Sequence, residues 1–138
     1  MAGFRYVHRL SGGNPTIETL KFNDSETLTK GDMVNLESGN VDLLAGADTN
    51  ALGVVLETKA GSAGVTEIRV ITDADAIYEV TDANARVKGA TLDITGATGA
   101  QGVTASSNKN FVVDRPSSNA QPTRVRFNVG KHHYNTAL

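Results

Sequence analysis

The chain has 138 residues, a net charge of −2, 39% hydrophobic residues, fourteen glycines, and neither cysteine nor tryptophan. That length suits one domain, which buries roughly 70% of the surface its unfolded chain exposes. The composition excludes disulfide scaffolds, thiolate metal sites, polyelectrolyte tails and strongly basic nucleic-acid binders.

Taken in chain order, the pattern predicts short strands. Residues 33–36 alternate polar and apolar and close on a turn at Ser38, Gly39 and Asn40. Residues 53–56 form a continuous apolar run of buried-strand type, and 66–71 alternate again. At 81–86 one turn of helix is expected, with Thr81 capping it. Strands follow at 91–95, 111–113 and 123–129. Glycine, alanine and serine clusters at 60–64, 96–102 and 116–122 read as loops. With aromatics at 5%, the core is expected to be mostly Val, Leu, Ile and Ala. The reading is a mainly β fold, a compact barrel or sandwich with little helix. The first residues carry no apolar stretch of a secretory signal, and no run approaches the ~20 residues that cross a bilayer. The chain therefore reads as one made and kept in a cytoplasm.

The chain also repeats itself. A shift of 58 lays Asp24 on Asp82, Lys30-Gly31 on Lys88-Gly89, Val34 on Leu92, Leu36 on Ile94, Asn50 on Asn108 and Val54-Val55 on Val112-Val113. A one-residue change of shift then lays 66–70 over 123–127. Residues 20–130 are thus expected to form one domain of two similar β units, about 20–72 and 78–129. Residues 1–19 are left as an extended N-terminal arm and 131–138 as a C-terminal tail.

No catalytic constellation emerges. The only histidines, His8, His132 and His133, lie in the terminal segments, where a preorganised Ser-His-carboxylate site is hardest to hold. His132 and His133 are adjacent, so on an extended chain they point to opposite sides and do not chelate together. They read, with Tyr134, as residues of a surface tail or interface. Asp73, Asp75, Glu79 and Asp82 hint at calcium-loop spacing but lack the third Asp/Asn, the glycine and the terminal Glu of such a loop, and read as a solvated turn. The segment 96–102 lacks the lysine of a phosphate loop and reads as a flexible connection. Arg124 and Arg126 share one face of a strand, with Lys131 nearby. That stripe is either a solvated face or a contact for an anionic patch on a protein partner. No catalytic residue, cofactor or metal is assigned, and neither nucleic acid, a membrane nor a small-molecule substrate is expected as partner.

One resemblance spans nearly the whole chain. Thr29-Lys30-Gly31-Asp32-Met33-Val34-Asn35-Leu36, then Gly39-Asn40-Val41, then Ala51-Leu52-Gly53-Val54-Val55-Leu56-Glu57 resembles the small capsid cement, or head-decoration, proteins of tailed bacteriophages. A second segment of that kind follows at Lys88-Gly89-Ala90-Thr91-Leu92-Asp93-Ile94-Thr95-Gly96, and residues 4–13 are similar to the N-terminal arm of some phage versions. The loop at 117–122 has no place on that pattern. The resemblance implies a β-tulip or β-clip type fold and a non-enzymatic virion protein. Such a protein binds the outer surface of the mature capsid, bridges major capsid protein subunits, and is typically a homotrimer. On that reading Phe4, Arg5, Tyr6, Val7 and Leu10 of the arm contact the shell or a neighbouring subunit. Arg124, Arg126, His132, His133 and Tyr134 are further interface candidates. The other readings are a different virion β module (a head-fibre base, or a tail or baseplate adaptor), a carbohydrate-binding module, and an enzyme with a site shared between subunits. The missing tryptophan counts against sugar stacking.

Overall fold

In the computed structural model, residues 3–134 are described except 24, 47, 49, 62–66, 83, 106–109 and 118–121. The expected loops at 62–64 and 118–121, the repeat pairs at Asp24 and Asn108, and the tail at 135–138 lie outside the described residues. The described residues form thirteen strands and no helix, the mainly β fold expected. Five strands make one antiparallel sheet in the order β2 (Ile17–Lys21), β8 (Glu67–Ile71), β6 (Gly53–Val55), β4 (Met33–Glu37), β5 (Asn40–Leu43). Six make a second, in the order β1 (Phe4–Arg9), β9 (Ala76–Val80), β13 (Thr123–Phe127), β12 (Phe111–Arg115), β10 (Thr91–Thr95), β11 (Gly102–Thr104). A small ribbon pairs β3 (Thr27–Leu28) with β7 (Lys59–Ala60). The first sheet curls until its edges touch at a single bridge, Phe22 with Val41. One bridge is not a ladder, so the sheet stays open.

The order β2-β8-β6-β4-β5 has its counterpart in β9-β13-β12-β10-β11, and the register agrees. Met33 pairs with Val54 and Val34 with Gly53; Thr91 pairs with Val112 and Leu92 with Phe111, each 58 positions on. Leu28 faces Lys59 as Arg86 faces Ser117. The Lys-Gly motif is the turn that enters each unit's central strand. Gly31 and Gly89 have φ of 95° and 88°, the region glycine enters without steric cost. The Gly31 amide donates to Val55 O at 3.1 Å and the Gly89 amide to Val113 O at 2.9 Å.

Three expectations change. The last strand of each unit does not align at the expected shift: Val70 opposes Val55 as Val125 opposes Val113, so the offset there is 55. Pairing, not residue likeness, sets the register, and the two-residue difference keeps the same side chains facing the core. No helix forms at 81–86 among the described residues. Instead Asp82 accepts the Asn84 amide at 3.2 Å and Arg86 Nε at 2.6 Å, and Arg86 bridges to Ser117. Finally, residues 1–19 are not an extended arm. Their described part supplies an edge strand to each sheet, β1 beside β9 and β2 beside β8. Alternation turns Phe4 and Tyr6 to the same face. Phe4 is 3% exposed, its ring 5.5 Å from Phe111, and the Tyr6 ring lies 6.1 Å from Tyr78.

The main core joins the inner face of the second sheet to the back of the first. Leu92, Ile94, Phe111, Val113, Val125 and Tyr78 pack there with Met33 and Val54. Most of the chain's few rings gather in this one cluster rather than being diluted among aliphatics. A second cluster, with Leu28, Val34, Val41, Val55, Ile68 and Val70, fills the curl of the first sheet. The two units therefore stack with one polarity. On the back of the first sheet the cross-strand ladder Met33-Val54-Ile71 is buried. Its counterpart on the second sheet, Thr91-Val112-Arg126, is half-buried.

Two polar devices tie the units together. The first unit's hairpin turns in two residues between Glu37 and Asn40, whereas the second takes six between Thr95 and Gly102. That longer loop docks on the first unit. The fully buried Asp32 carboxylate accepts the Gly99 amide at 2.9 Å, the Thr98 hydroxyl at 2.5 Å and the Thr29 amide at 2.8 Å. Gln101 accepts the Met33 amide at 2.6 Å and donates to Met33 O and Leu44 O, both at 3.1 Å. The loop read as flexible is thus fastened, because its partners lie far away in sequence.

Candidate interaction surface

The outer face of the second sheet carries charge. Glu79 on β9 takes an ion pair from Arg5 on β1 and another from Arg124 on β13 at 3.2 Å. Arg5, bonded to it, and then Arg124 hold the Glu79 carboxyl below its ordinary range, against the opposing pull of burial. Arg126 pairs with Asp114 at 3.4 Å. The expected basic stripe is therefore neutralised in place by cross-strand neighbours. Arg5 and Arg126 are exposed, so their pairs contribute little to stability.

The acidic turn before β9 is a clasp rather than a free, solvated cluster. Asp73 accepts the Thr16 amide at 2.7 Å and pairs with Arg9 at 3.4 Å. Asp75 accepts the Ser11 amide at 2.9 Å and Arg9 Nε at 3.2 Å. Burial pushes Asp75 up, but hydrogen bonds from Ser11 and Arg9 outweigh it and leave the carboxyl below its usual range. Among the described residues no three His, Asp or Glu side chains group as metal ligands.

The segments outside the repeat meet at one end of the molecule. Leu10, just past β1, and Val129, just past β13, are 53% and 74% exposed and line the same shallow cleft of about 200 Å³ with Arg126 and His132. Tyr134 stands beside it, half exposed, its ring 5.7 Å from the His132 ring and its hydroxyl donating to Glu18 at 2.9 Å. Burial first, then Glu18, pushes that phenol up to about 12. Of the expected contact residues, Leu10 and Tyr134 are exposed, Tyr6 and Val7 are half-buried, and Phe4 and His132 are interior. His133 is half-buried, and its amide donates to Ala51 O at 2.7 Å. Sequence reading missed Val129 because it placed the residue inside the strand expected at 123–129; β13 ends at Phe127, which leaves Val129 beyond the last paired position.

His132 is what docks the chain's end, contrary to its expected place on the surface. Nε2 donates to Leu52 O at 2.6 Å, and Nδ1 accepts the Tyr134 amide at 3.1 Å. These partners define the neutral Nε2–H tautomer. Burial is the largest influence and lowers its pKa below the ordinary 6.5. The folded state thus resists a proton that the unfolded chain accepts, so this contribution is complete above about pH 6.5 and fades as pH falls. An NMR titration should give His132 a midpoint below 6.5 with the Tyr134 amide shifting in step. A midpoint at or above 6.5 would contradict the docking geometry.

No protein-family model matches the chain, and no curated protein is detectably similar to it.

Proposed function

We propose that this chain is a structural virion protein, a non-enzymatic homotrimer that binds the outer surface of the mature phage capsid and stabilises it by bridging major capsid protein subunits. The observation that carries this reading is the exposed apolar patch of Leu10 and Val129, flanked by Tyr134. Large side chains left exposed together mark a contact rather than a solvated face. The patch is small, and a small patch is useful to a protein that acts in many copies. Weak contacts repeated around a symmetric assembly add up through effective concentration. The tied units supply the stiff body that a bridge requires. The resemblance is compatible with this, since its Lys-Gly motifs fall on the turns that enter both central strands.

Co-sedimentation with purified shells tests the reading. Saturable binding to expanded shells, absent with unexpanded ones, is the expected result. The Leu10→Ser, Val129→Ser double variant should bind at least about tenfold more weakly, since each buried aliphatic contributes on the order of 1 kcal/mol. Its melting temperature should stay close to wild type, because both side chains are solvated in the free protein. Absence of binding to any shell, or full binding by the double variant, would remove this reading or its patch.

A further inference from the structure

A groove of about 640 Å³ opens between β1 and β6. Val54, Leu56, Ile71 and Tyr6 line it, and Arg5 and Lys30 stand on its rim. Lys30 is exposed, and no ion pair to it forms among the described residues. The Phe4 amide turns away from β9 and donates to Gly31 O at 2.8 Å. Strand alternation points the Tyr6 peptide group the same way, along the open edge of β1.

The far end of β4, the strand that the Lys30 turn enters, has the opposite character. Glu37 closes β4, Asp42 lies on β5, and with Asn23, Ser38 and Asn40 they line a hollow of about 390 Å³. Glu26 reaches the same carboxyls. Burial, then the Asp42 hydrogen bond and charge, then Glu37, push Glu26 up to about 7. The Asp42 hydrogen bond, then its charge, raise Glu37 as well. Among the described residues no ion pair forms to Glu26, Glu37 or Asp42. Asn35 pairs across the hairpin with Asp42 and shares its face. Asn35 is 8% exposed, and its Oδ1 has no hydrogen-bond partner. This end therefore crowds carboxyls that share hydrogen bonds only with one another, while the groove presents an ammonium without an ion-pair partner among the described residues. From Met33 to Glu37 the strand runs about 13 Å, and Lys30 lies in the turn before it.

We propose that copies of this chain associate head to tail, the carboxylate end of one β4–β5 hairpin seating in the β1–β6 groove of the next, with Lys30 donating to Glu37 and Asp42. The contact is heterologous, so it closes into a ring if the rotation between copies allows. It rests on the shell-binding reading above and names the surface through which its copies meet.

Light scattering on the full chain tests it without any shell. Wild type at high concentration and low salt should exceed the mass of one chain and fall toward it as salt rises to about 1 M. Lys30→Glu and Glu37→Lys should each weaken association at least about a hundredfold, since reversal sets like charges face to face. The double variant, with both reversals on one chain, should restore the wild-type mass. Circular dichroism should show all three folded, as both side chains are exposed. A wild type that stays monomeric, single variants that leave the mass unchanged, or a double variant that remains dissociated would each overturn the contact. Shell binding by a monomer would overturn it and leave the shell reading standing; a salt-sensitive oligomer that binds no shell would do the reverse.

Discussion

Replacing Gly53 with alanine should remove much of the protein's stability. A Cβ at that position would lie 1.6 Å from Ile71 O and 2.8 Å from Ile71 C. Both are backbone atoms of β8, the strand paired with β6, so no side chain can swing aside. Relief requires β6 and β8 to separate, and β6 is also held by β4 on its other edge. Overpacking a core typically costs about 1–3 kcal/mol when side chains can adapt. A clash with main chain between two ladders should exceed that, on the order of 4 kcal/mol, against a total stability of about 5–15 kcal/mol. The corresponding place in the second unit is Phe111, so the requirement is not one of strand geometry in general. It comes from the close passage of Ile71. Thermal unfolding of soluble Gly53→Ala, or its yield, checks this. Gly46→Ala is the control, since a Cβ there meets nothing nearer than Ile94 O at 3.6 Å. A Gly53→Ala protein that melts within a few degrees of wild type would show that the strands part easily.

Asp32→Ala is the second large effect. The carboxylate is fully buried and receives two amides and a hydroxyl. Hydrogen bonds to a charged acceptor contribute about 1.5–3 kcal/mol each, and removal orphans the donors. Some donors regain water as the loop loosens, so a net loss of about 3–5 kcal/mol is expected, or roughly 10–20 °C in melting temperature. The protein contains its own comparison. In the second unit the same turn closes at Ala90, whose amide donates to Val87 O at 3.2 Å, as the Asp32 amide donates to Thr29 O at 2.9 Å. The turn therefore forms without a carboxylate. What Asp32 adds is the docking of Thr98 and Gly99. Hydrogen exchange should accordingly speed at the Gly99 amide before it speeds at Asp32, and Asp32→Asn should fall between alanine and wild type. A melting temperature within about 3 °C of wild type would sink the assignment.

Much of the fold was legible, for one reason. Strands β8, β10 and β13 bury one face more than the other, so their sequences alternate, and β6 and the first half of β12 are apolar runs. The repeat was legible because both units need glycine at the same left-handed turn. Several strands escaped reading: β1 and β2, taken for an arm, the short β3, β5, β7 and β11, and β9, all five residues of which are buried. Its neighbours Asp73, Asp75 and Asp82 made the region look like a solvated acidic turn, yet those carboxylates are spent on Thr16, Ser11, Arg9 and Arg86. The interaction surface was legible only in part. Leu10 and Tyr134 could be named as apolar residues of the chain's ends, but Phe4 and His132 look the same in sequence. What separates them is β1 pairing with β9 and Nε2 meeting Leu52 O. The carboxylate knot at Glu26, Glu37 and Asp42 joins two stretches of chain through the edge contact of Phe22 with Val41. No local pattern announces such a contact.

The one-way stacking of the two units raises a question of growth. Each unit offers an inner face and a back, and the second unit's inner face has found the first unit's back. Nothing in that geometry by itself stops a third unit from settling on the second unit's back, whether from the same chain or from a neighbour. Repetitive folds end safely when the last layer is unattractive to the next. Here that layer replaces the buried Ile71 of the first ladder with Arg126, and sets the Arg5-Glu79-Arg124 group beside it. Covering those charges would strip them of water for no new partner. These ion pairs thus have a value besides stability. They oppose a third layer, where the same pattern continued would build a fibre.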